Sequence, residues 1–270
     1  MKNWDELAAP WLKHEAMMEA AHAPVLDAML AAADLGDGQR VLDIGIGSGL
    51  SSCRAADAVG QNGHVTGVDV APPFVARATG RVPTNVTVIE ADAQALALPD
   101  KEFDRVISIF GTMFFEETAA AFSNILKATK PGGVFTFVSW APPAMNPWLA
   151  LSGQVADTVL GAPDNRPDPH GPGPFRFAGP DVALEALEQA GWTASVETVS
   201  LKLTPLGTPD DIAATQMEIS IVARRLREEN PPQEDIEELR LTLSERFAQM
   251  QNSKGAVVVP AHIHIFKAVA

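Results

Sequence analysis

The sequence predicts a doubly wound α/β fold on a mostly parallel sheet, and three observations carry that expectation. First, Val41-Leu-Asp-Ile-Gly-Ile-Gly-Ser-Gly-Leu50 joins a short run of branched residues to glycines at 45, 47 and 49. Second, further strand-like runs follow at 64–69, 86–90, 103–110 and 134–140, with helical segments between several of them. Third, two of these runs end on acids, Asp69 and just beyond the third run Asp92, on the rim that also carries Gly47. Ligands of open α/β sheets bind along that rim.

Residues 3 to 34 read as two helices ahead of the sheet. Trp4, Leu7, Trp11 and Met18 fall near helical spacing, and Pro10 is expected to break the first turn away from the second. Pro24 is placed at the opening of the second helix, with Val25, Leu26, Met29 and Leu30 on its inner face. Trp4 and Trp11 have two readings: they pack the arm onto the domain, or they line a site as a lid. His14 and His22 face the same choice, and solvated helix surface is expected for both.

The run at 41–46 reads as a strand buried on both faces. Its glycines lead into a helix at 50–59, the order of parts used to hold a phosphate or nucleotide. Glycine suits such a loop because a Cβ would block a ligand and because sharp turns often need positive φ. The spacing is not that of a dinucleotide fingerprint, since the third glycine comes one residue early. No lysine follows, so it is not a P-loop either. Asp69 ends the second strand, 64–69, where an acid can accept two hydrogen bonds from a ribose diol. Capping the helix that begins near Pro72 is the alternative use of the same carboxylate. The third strand, 86–90, runs into Asp92, whose carboxylate can accept from an adenine amino group while the next N–H donates to the ring. The fourth strand, 103–110, enters Gly111-Thr-Met-Phe-Phe115. A helix is expected over 116–130, a turn at Pro131-Gly-Gly133 and a fifth strand over 134–140.

The second half carries a helix over 146–160 and a proline-rich loop over 161–174 that contains His170. Next come a helix over 180–190 capped by Gly191 and a sixth strand over 192–203. Amphipathic stretches at 205–227 and 233–251 flank Asn230-Pro-Pro232. A final strand region, 256–270, is expected to be broken by Pro260.

With 270 residues, 46% of them apolar and 20% charged, the chain is a single domain or one domain with a large insertion. A net charge of −14 opposes nonspecific binding to nucleic acid or to an anionic membrane. Cys53 is the single cysteine, which excludes an internal disulfide and fits a reducing, cytoplasmic setting. The start of the chain is too polar for a signal peptide, and no apolar run has the length of a membrane span.

Several motifs in order carry a resemblance. Val41-Leu-Asp-Ile-Gly-Ile-Gly-Ser-Gly49, Gly67-Val-Asp69, Glu90-Ala-Asp-Ala93, Phe103-Asp-Arg-Val-Ile107 and Lys130-Pro-Gly-Gly133 together resemble the class I S-adenosylmethionine-dependent methyltransferases. The stretches Phe110-Gly-Thr-Met-Phe-Phe115 and Trp140-Ala-Pro-Pro…Asn146-Pro-Trp148 are most similar to the small-molecule group that includes the ubiquinone/menaquinone-biosynthesis enzymes. The resemblance is strong over about 35–142 and holds only in outline elsewhere. It implies a Rossmann-like sheet of seven strands with helices on both faces, and S-adenosylmethionine as cofactor. It further implies that Gly45, Gly47 and Gly49 meet the methionine and ribose portions and that Asp69, with Val70 beside it, binds the ribose hydroxyls. Asp92 and the Ala93 N–H would hold adenine, Phe110 would touch the methionine end, and Asp43 would orient the loop. Ile46 departs from the smaller residue usual there and crowds the loop.

In that family the sixth and seventh strands are joined by a short turn. Here about fifty residues intervene, so 205–253 reads as a helical insertion, either a cap over the substrate site or a homodimer element. The remaining division is an arm at 1–34 and a cofactor-binding domain at 35–204 with 254–270.

Methyl transfer from a sulfonium is an in-line displacement, for which a protein supplies position, alignment and exclusion of water. A general base is needed only where the acceptor must lose a proton early; His14 and His170 are the candidates. His262 and His264 share a strand face and read as structural, and no metal site is expected. Glu116 and Glu117 are explained by the helix they open. Met113, Phe114, Phe115, Trp140 and Trp148 predict an apolar, aromatic wall suited to a hydrophobic or cationic small acceptor. Nucleic acid is disfavoured as substrate, because Ser108-Ile-Phe-Gly111 is not the motif of amino-methylating DNA enzymes. A noncatalytic S-adenosylmethionine-binding partner protein and a NAD-dependent oxidoreductase are the other two readings.

Overall fold

A computed structural model describes residues 4–163, 168 and 171–270 of the chain. Helices α1 (Trp4–Lys13) and α2 (Glu15–Ala33) precede strand β1 (Arg40–Ile44), and α3 (Leu50–Val59), β2 (His64–Asp69), α4 (Pro72–Thr79) and β3 (Val86–Glu90) follow. Next come β4 (Phe103–Ile109), α5 (Thr118–Ala128), β5 (Thr129–Trp140), α6 (Pro147–Val159), α7 (Asp181–Ala190) and β6 (Thr193–Leu203). Three helices, α8 (Pro209–Ile219), α9 (Ile221–Glu229) and α10 (Gln233–Ala248), lead to β7 (Val259–Val269).

The seven strands form one sheet in the order β3-β2-β1-β4-β5-β7-β6. The first five are parallel; β7 runs antiparallel to both β5 and β6. This is the Rossmann-like, mostly parallel arrangement that the sequence predicts. The order reverses between β1 and β4, where a crevice opens beyond the carboxyl ends of the strands.

Strand alternation assigns the layers. Phe135 and Phe137 of β5 pack against Phe122 of α5, while Trp140, of opposite parity, meets His22 of α2. Successive side chains leave a strand on opposite faces, so α2 and α5 cover opposite sides of the sheet. The α5 side is an aromatic core. Phe137 stacks on Phe266 of β7 at 4.6 Å, and Trp192 donates its indole N–H to the Phe122 carbonyl at 3.0 Å.

Both prolines of the arm depart from expectation. Pro10 lies inside α1 and Pro24 inside α2; the break falls between them, at His14. A proline inside a helix forfeits one hydrogen bond. Burial of Met18, Ala21, Val25, Leu26 and Met29 on one continuous face of α2 outweighs that loss. Pro260 likewise lies within β7 instead of breaking it. The ladder to β5 spans only Ile263 to Val269, so its missing N–H removes no bond from that ladder. The stretch 205–227 is two helices, because Ser220 accepts from the Val222 N–H and starts α9 afresh. Residues 129–133 join β5 rather than forming a separate turn, since Thr129 pairs with Phe103.

The crowding expected of Ile46 is resolved across the sheet. Ile46 is buried, and a Cβ at Gly67 in β2 would collide with its Cδ1. Gly67 therefore makes room for the larger loop residue. Gly67→Ala is expected to lower stability by about 1–3 kcal/mol, the range for overpacking. Ile46→Val in the same chain should recover most of it, because it removes the atom in the way. Urea denaturation of the two single variants and the double variant checks this, and additive losses would refute it.

Candidate functional site

The glycine loop leaves β1 with three positive φ angles: 74° at Gly45, 56° at Gly47 and 95° at Gly49. Side-chain-bearing residues rarely adopt such angles. The N–H groups of Gly45 and Ile46 donate to the Val68 carbonyl at 2.8 and 3.1 Å, which ties the loop to the end of β2. Gly49 starts α3, and a Cβ there would press on Ala78 of α4 at 3.2 Å. At Gly47 a Cβ would meet no protein atom within 4 Å, and this residue lines a large cavity at the strand ends. The third glycine thus serves helix packing, and the second leaves backbone open to a ligand.

Asp69 braces this loop. One carboxylate oxygen accepts from the Gly47 N–H at 2.9 Å and the other from the Ala71 N–H at 3.0 Å. Burial raises its pKa above the ordinary value, against the pull of these N–H donors. The Ala71 bond lies next to the start of α4, so one side chain stands at the rim and also serves the start of a helix. Asp92 is held by Gln94, whose backbone N–H donates to it at 2.9 Å and whose amide nitrogen donates at 3.1 Å. The Gln94 carbonyl oxygen in turn accepts from the N–H groups of Glu116 and Glu117. The ends of β3 and β4 are thereby fixed to one another. Glu117 is the residue before α5, so the two glutamates stand ahead of the helix rather than in its first turn.

Asp43 lies behind the loop. It is fully buried, and one oxygen accepts from the hydroxyls of Ser51 at 2.6 Å and Ser52 at 2.7 Å. Among the described residues its other oxygen has no partner. Desolvation pushes its pKa up to about 6. Asp43 anchors the first turn of α3, and the loop's own N–H groups go to Val68 and Asp69.

The cavity, of about 1040 Å³, gathers most of the expected residues. Gly45, Gly47, Asp69, Val70, Asp92, Ala93 and Phe110 line it from the strand ends; Asp43 and Gly49 stand behind them. All six expected pocket residues, Trp4, Trp11, Met113, Phe114, Trp140 and Trp148, also line it. Trp4 meets Phe114 edge to face at 4.8 Å, and Phe110 stacks on Trp140 at 4.2 Å. Phe110 has a φ of 58°, uncommon for a bulky side chain, at the point where β4 opens into the cavity. Such outliers gather at functional sites because the surroundings must hold them.

The histidines fall differently. His14 is not on the cavity wall: one ring nitrogen meets Thr215 Oγ1 at 3.1 Å and the other Glu218 Oε2 at 3.0 Å. It joins the arm to α8, so both nitrogens are occupied away from the expected chemistry. His170 lies outside the described residues. His262 meets the Met145 carbonyl, and His264 bridges Thr198 and the Ala178 carbonyl. Among the described residues no cluster could hold a metal ion. His22, expected on the helix surface, instead lines the cavity beside Trp11, Phe110, Trp140 and Trp148. The spacing Met18, His22, Leu26 places it on the buried face of α2, and that i, i+4 pattern was the available signal. Sequence reasoning also missed Gln94 and Gln216. Gln216, on α8, lines the cavity and accepts from Ser152 at 2.9 Å.

Charged groups hold the arm over the loop. Arg77 donates to Glu15 at 2.9 Å, and Arg81 pairs with Glu19, which also accepts from Ser48 of the glycine loop at 3.0 Å. Among the described residues no helix is long and apolar enough to cross a membrane.

Residues 41–133 match the family model described as "Methyltransferase domain". Curated relatives include an uncharacterized protein of Mycobacterium tuberculosis, 37% identical over 46% of this chain and 45% of its own length. The 2-methyl-6-phytyl-1,4-hydroquinone methyltransferase of Synechocystis is 39% identical over 38% of this chain and 32% of its own. The aklanonic acid methyltransferase of a Streptomyces species is 33% identical over 38% and 48%. The chain thus spans less than half the length of these relatives in its matches. Among solved structures, an S-adenosylmethionine-dependent methyltransferase from Aquifex aeolicus shares the fold. Its TM-score is 0.52 at 20% identity, covering 71% of this chain and 90% of that one. Residues 41–133 are thus similar to a methyltransferase domain, and the chain shares the fold of a solved S-adenosylmethionine-dependent methyltransferase. The relatives named for an activity act on unlike small molecules, so they do not single out the ubiquinone/menaquinone group.

Proposed function

We propose that this protein transfers a methyl group from S-adenosylmethionine to a hydrophobic small molecule. The observation that carries the reading is a single cavity in which the glycine loop, Asp69 and Asp92 share one space with Phe110, Trp140 and Trp148. The residues present fit the cofactor. Gly47 offers backbone with nothing of the protein before it, and Asp69 accepts one N–H per oxygen and retains lone pairs for a diol. The cofactor's sulfonium supplies an electrophilic methyl group and a neutral thioether as leaving group. The protein's part is to align the acceptor and keep water away, which the aromatic wall does. At about 1040 Å³ the cavity stands at the upper end of the range of roughly 300–1,000 Å³ usual for small-molecule sites. It has room for a cofactor and an acceptor together. The relatives named for hydroquinone and aklanonic acid support a small-molecule acceptor, and the net charge of −14 opposes nucleic acid.

Calorimetric titration with S-adenosylmethionine, S-adenosylhomocysteine and NAD tests this. Binding of the first two alone is expected, and binding of NAD alone would refute it. Asp69→Ala should weaken cofactor binding by about 1–3 kcal/mol, the cost of leaving buried polar groups unpaired. An unchanged affinity would remove Asp69 from the ribose site.

A further inference from the structure

We propose that His22 takes the hydroxyl proton of the acceptor, and that the acceptor is a hydroxylated aromatic ring. The proposal rests on the methyl-transfer reading above and adds to it a residue and a substrate class.

The surroundings of His22 are unlike those of the other ionisable groups on the cavity wall. Asp69 and Asp92 are engaged by backbone N–H groups. Glu15 and Glu19 are paired with Arg77 and Arg81. His22 has instead four aromatic rings around it: Trp11 stacked at 6.3 Å, Phe110 and Trp140 at 5.8 Å, and Trp148 at 6.2 Å. The backbone group nearest its ring is that of Met18, one turn earlier in α2. A neutral imidazole carries one N–H and one nitrogen lone pair, and the lone pair is the acceptor used here. Among the described residues the ring has no second hydrogen-bond partner. The desolvated ring has its pKa pushed down to about 4, so it is neutral and ready to accept at ordinary pH.

The position suits the chemistry. Phe110 and Trp140 contact both each other and His22, so the imidazole lies beside the strand end that opens the cofactor rim. A hydroxyl donating to the free nitrogen has its oxygen lone pairs available for attack. As the C–O bond forms and the C–S bond breaks, the electron pair stays on sulfur and the hydroxyl proton passes to His22. One positive charge thereby leaves the sulfonium and reappears on the imidazolium, from which water removes it after the product leaves. The Trp140 ring, centred 5.8 Å away, is a favourable neighbour for that transient cation. The aromatic rings that surround the imidazole make an apolar wall, which suits a hydroxyl carried on an aromatic ring rather than an aliphatic alcohol.

The test uses 2-naphthol and naphthalene as probes of the full-length protein loaded with S-adenosylhomocysteine. Calorimetry should show 2-naphthol binding about tenfold more tightly than naphthalene, the difference one hydrogen bond makes. In His22→Phe that preference should vanish while naphthalene binding persists. Photoexcited naphthol releases its proton to a base in contact or to liquid water. Bound 2-naphthol should therefore emit mainly as naphtholate in the wild type and lose most of that emission in both His22→Phe and His22→Gln. The glutamine variant retains a hydrogen-bond acceptor without a proton acceptor. Absence of 2-naphthol binding, equal affinity for the two probes, or naphtholate emission that survives in His22→Phe overturns the proposal. The S-adenosylhomocysteine titration of the same variants stands apart: its success with a failed naphthol test leaves the cofactor reading intact, and its failure removes that reading.

Discussion

Trp148→Ala is expected to destabilise the protein by about 3–5 kcal/mol, the range for removing a large aromatic side chain from a core. Trp148 is 1% exposed and stands near the start of α6. Its indole meets His22 of α2 on one side and Phe247 of α10 on the other, each at 6.2 Å between ring centres. It thus joins the arm to the helices inserted between β6 and β7. The side chain also borders the cavity, so the space it leaves is continuous with that cavity and open to water. Hydration of the gap places the loss toward the lower end of the range. Trp148→Phe keeps an aromatic face toward both neighbours and should cost less than half as much. Urea denaturation of the two variants checks this order, and a loss under about 1 kcal/mol for Trp148→Ala would show that Trp148 does not bind these layers together.

Asp43 gives stability a pH dependence of definite sign. Its folded pKa is about 6 against an ordinary value of 3.8, because burial disfavours the charged form. Between those two values the folded chain holds a proton that the unfolded chain has released. Stability contributed by this group is therefore fully present below pH 3.8 and is lost as pH rises through about 6. At about 1.4 kcal/mol per unit the loss is on the order of 3 kcal/mol. Asp43→Asn retains a carbonyl oxygen for Ser51 and Ser52 and cannot ionise. Subtracting its pH–stability profile from that of the wild type should leave a step between about pH 4 and pH 6. Parallel profiles would show that the buried carboxyl has an ordinary pKa.

The parallel half of the sheet was legible because each strand there is a short apolar run ending on a distinctive rim residue: Gly45, Asp69, Asp92 and Phe110. The runs of β1, β2 and β4 carry buried residues and β3 lies at the sheet edge, so burial marks the composition of the central strands most strongly. Pro10, Pro24 and Pro260 were misleading, since local backbone preference says nothing of the packing that overrides it. His22 was missed for a related reason. A lone histidine among alanines reads as surface, and three of the four rings that enclose it, Phe110, Trp140 and Trp148, lie far along the chain. His14, a candidate base, is occupied by Thr215 and Glu218, both from the stretch where sequence pattern was least informative.

The placement of β7 between β5 and β6 has a consequence for synthesis. β7 follows the other six strands in chain order, yet among the described residues it is the only strand that connects β6 to the rest of the sheet. While a ribosome extends the chain, β5 and β6 each present a row of unpaired backbone groups. Those rows persist until Val259–Val269 has emerged. Unpaired strand edges invite pairing with other chains, and residues 204–258 must be folded aside before the final pairing closes a long loop. The nascent protein therefore carries these open edges until β7 has been made, and a chain that stops short of β7 carries them permanently.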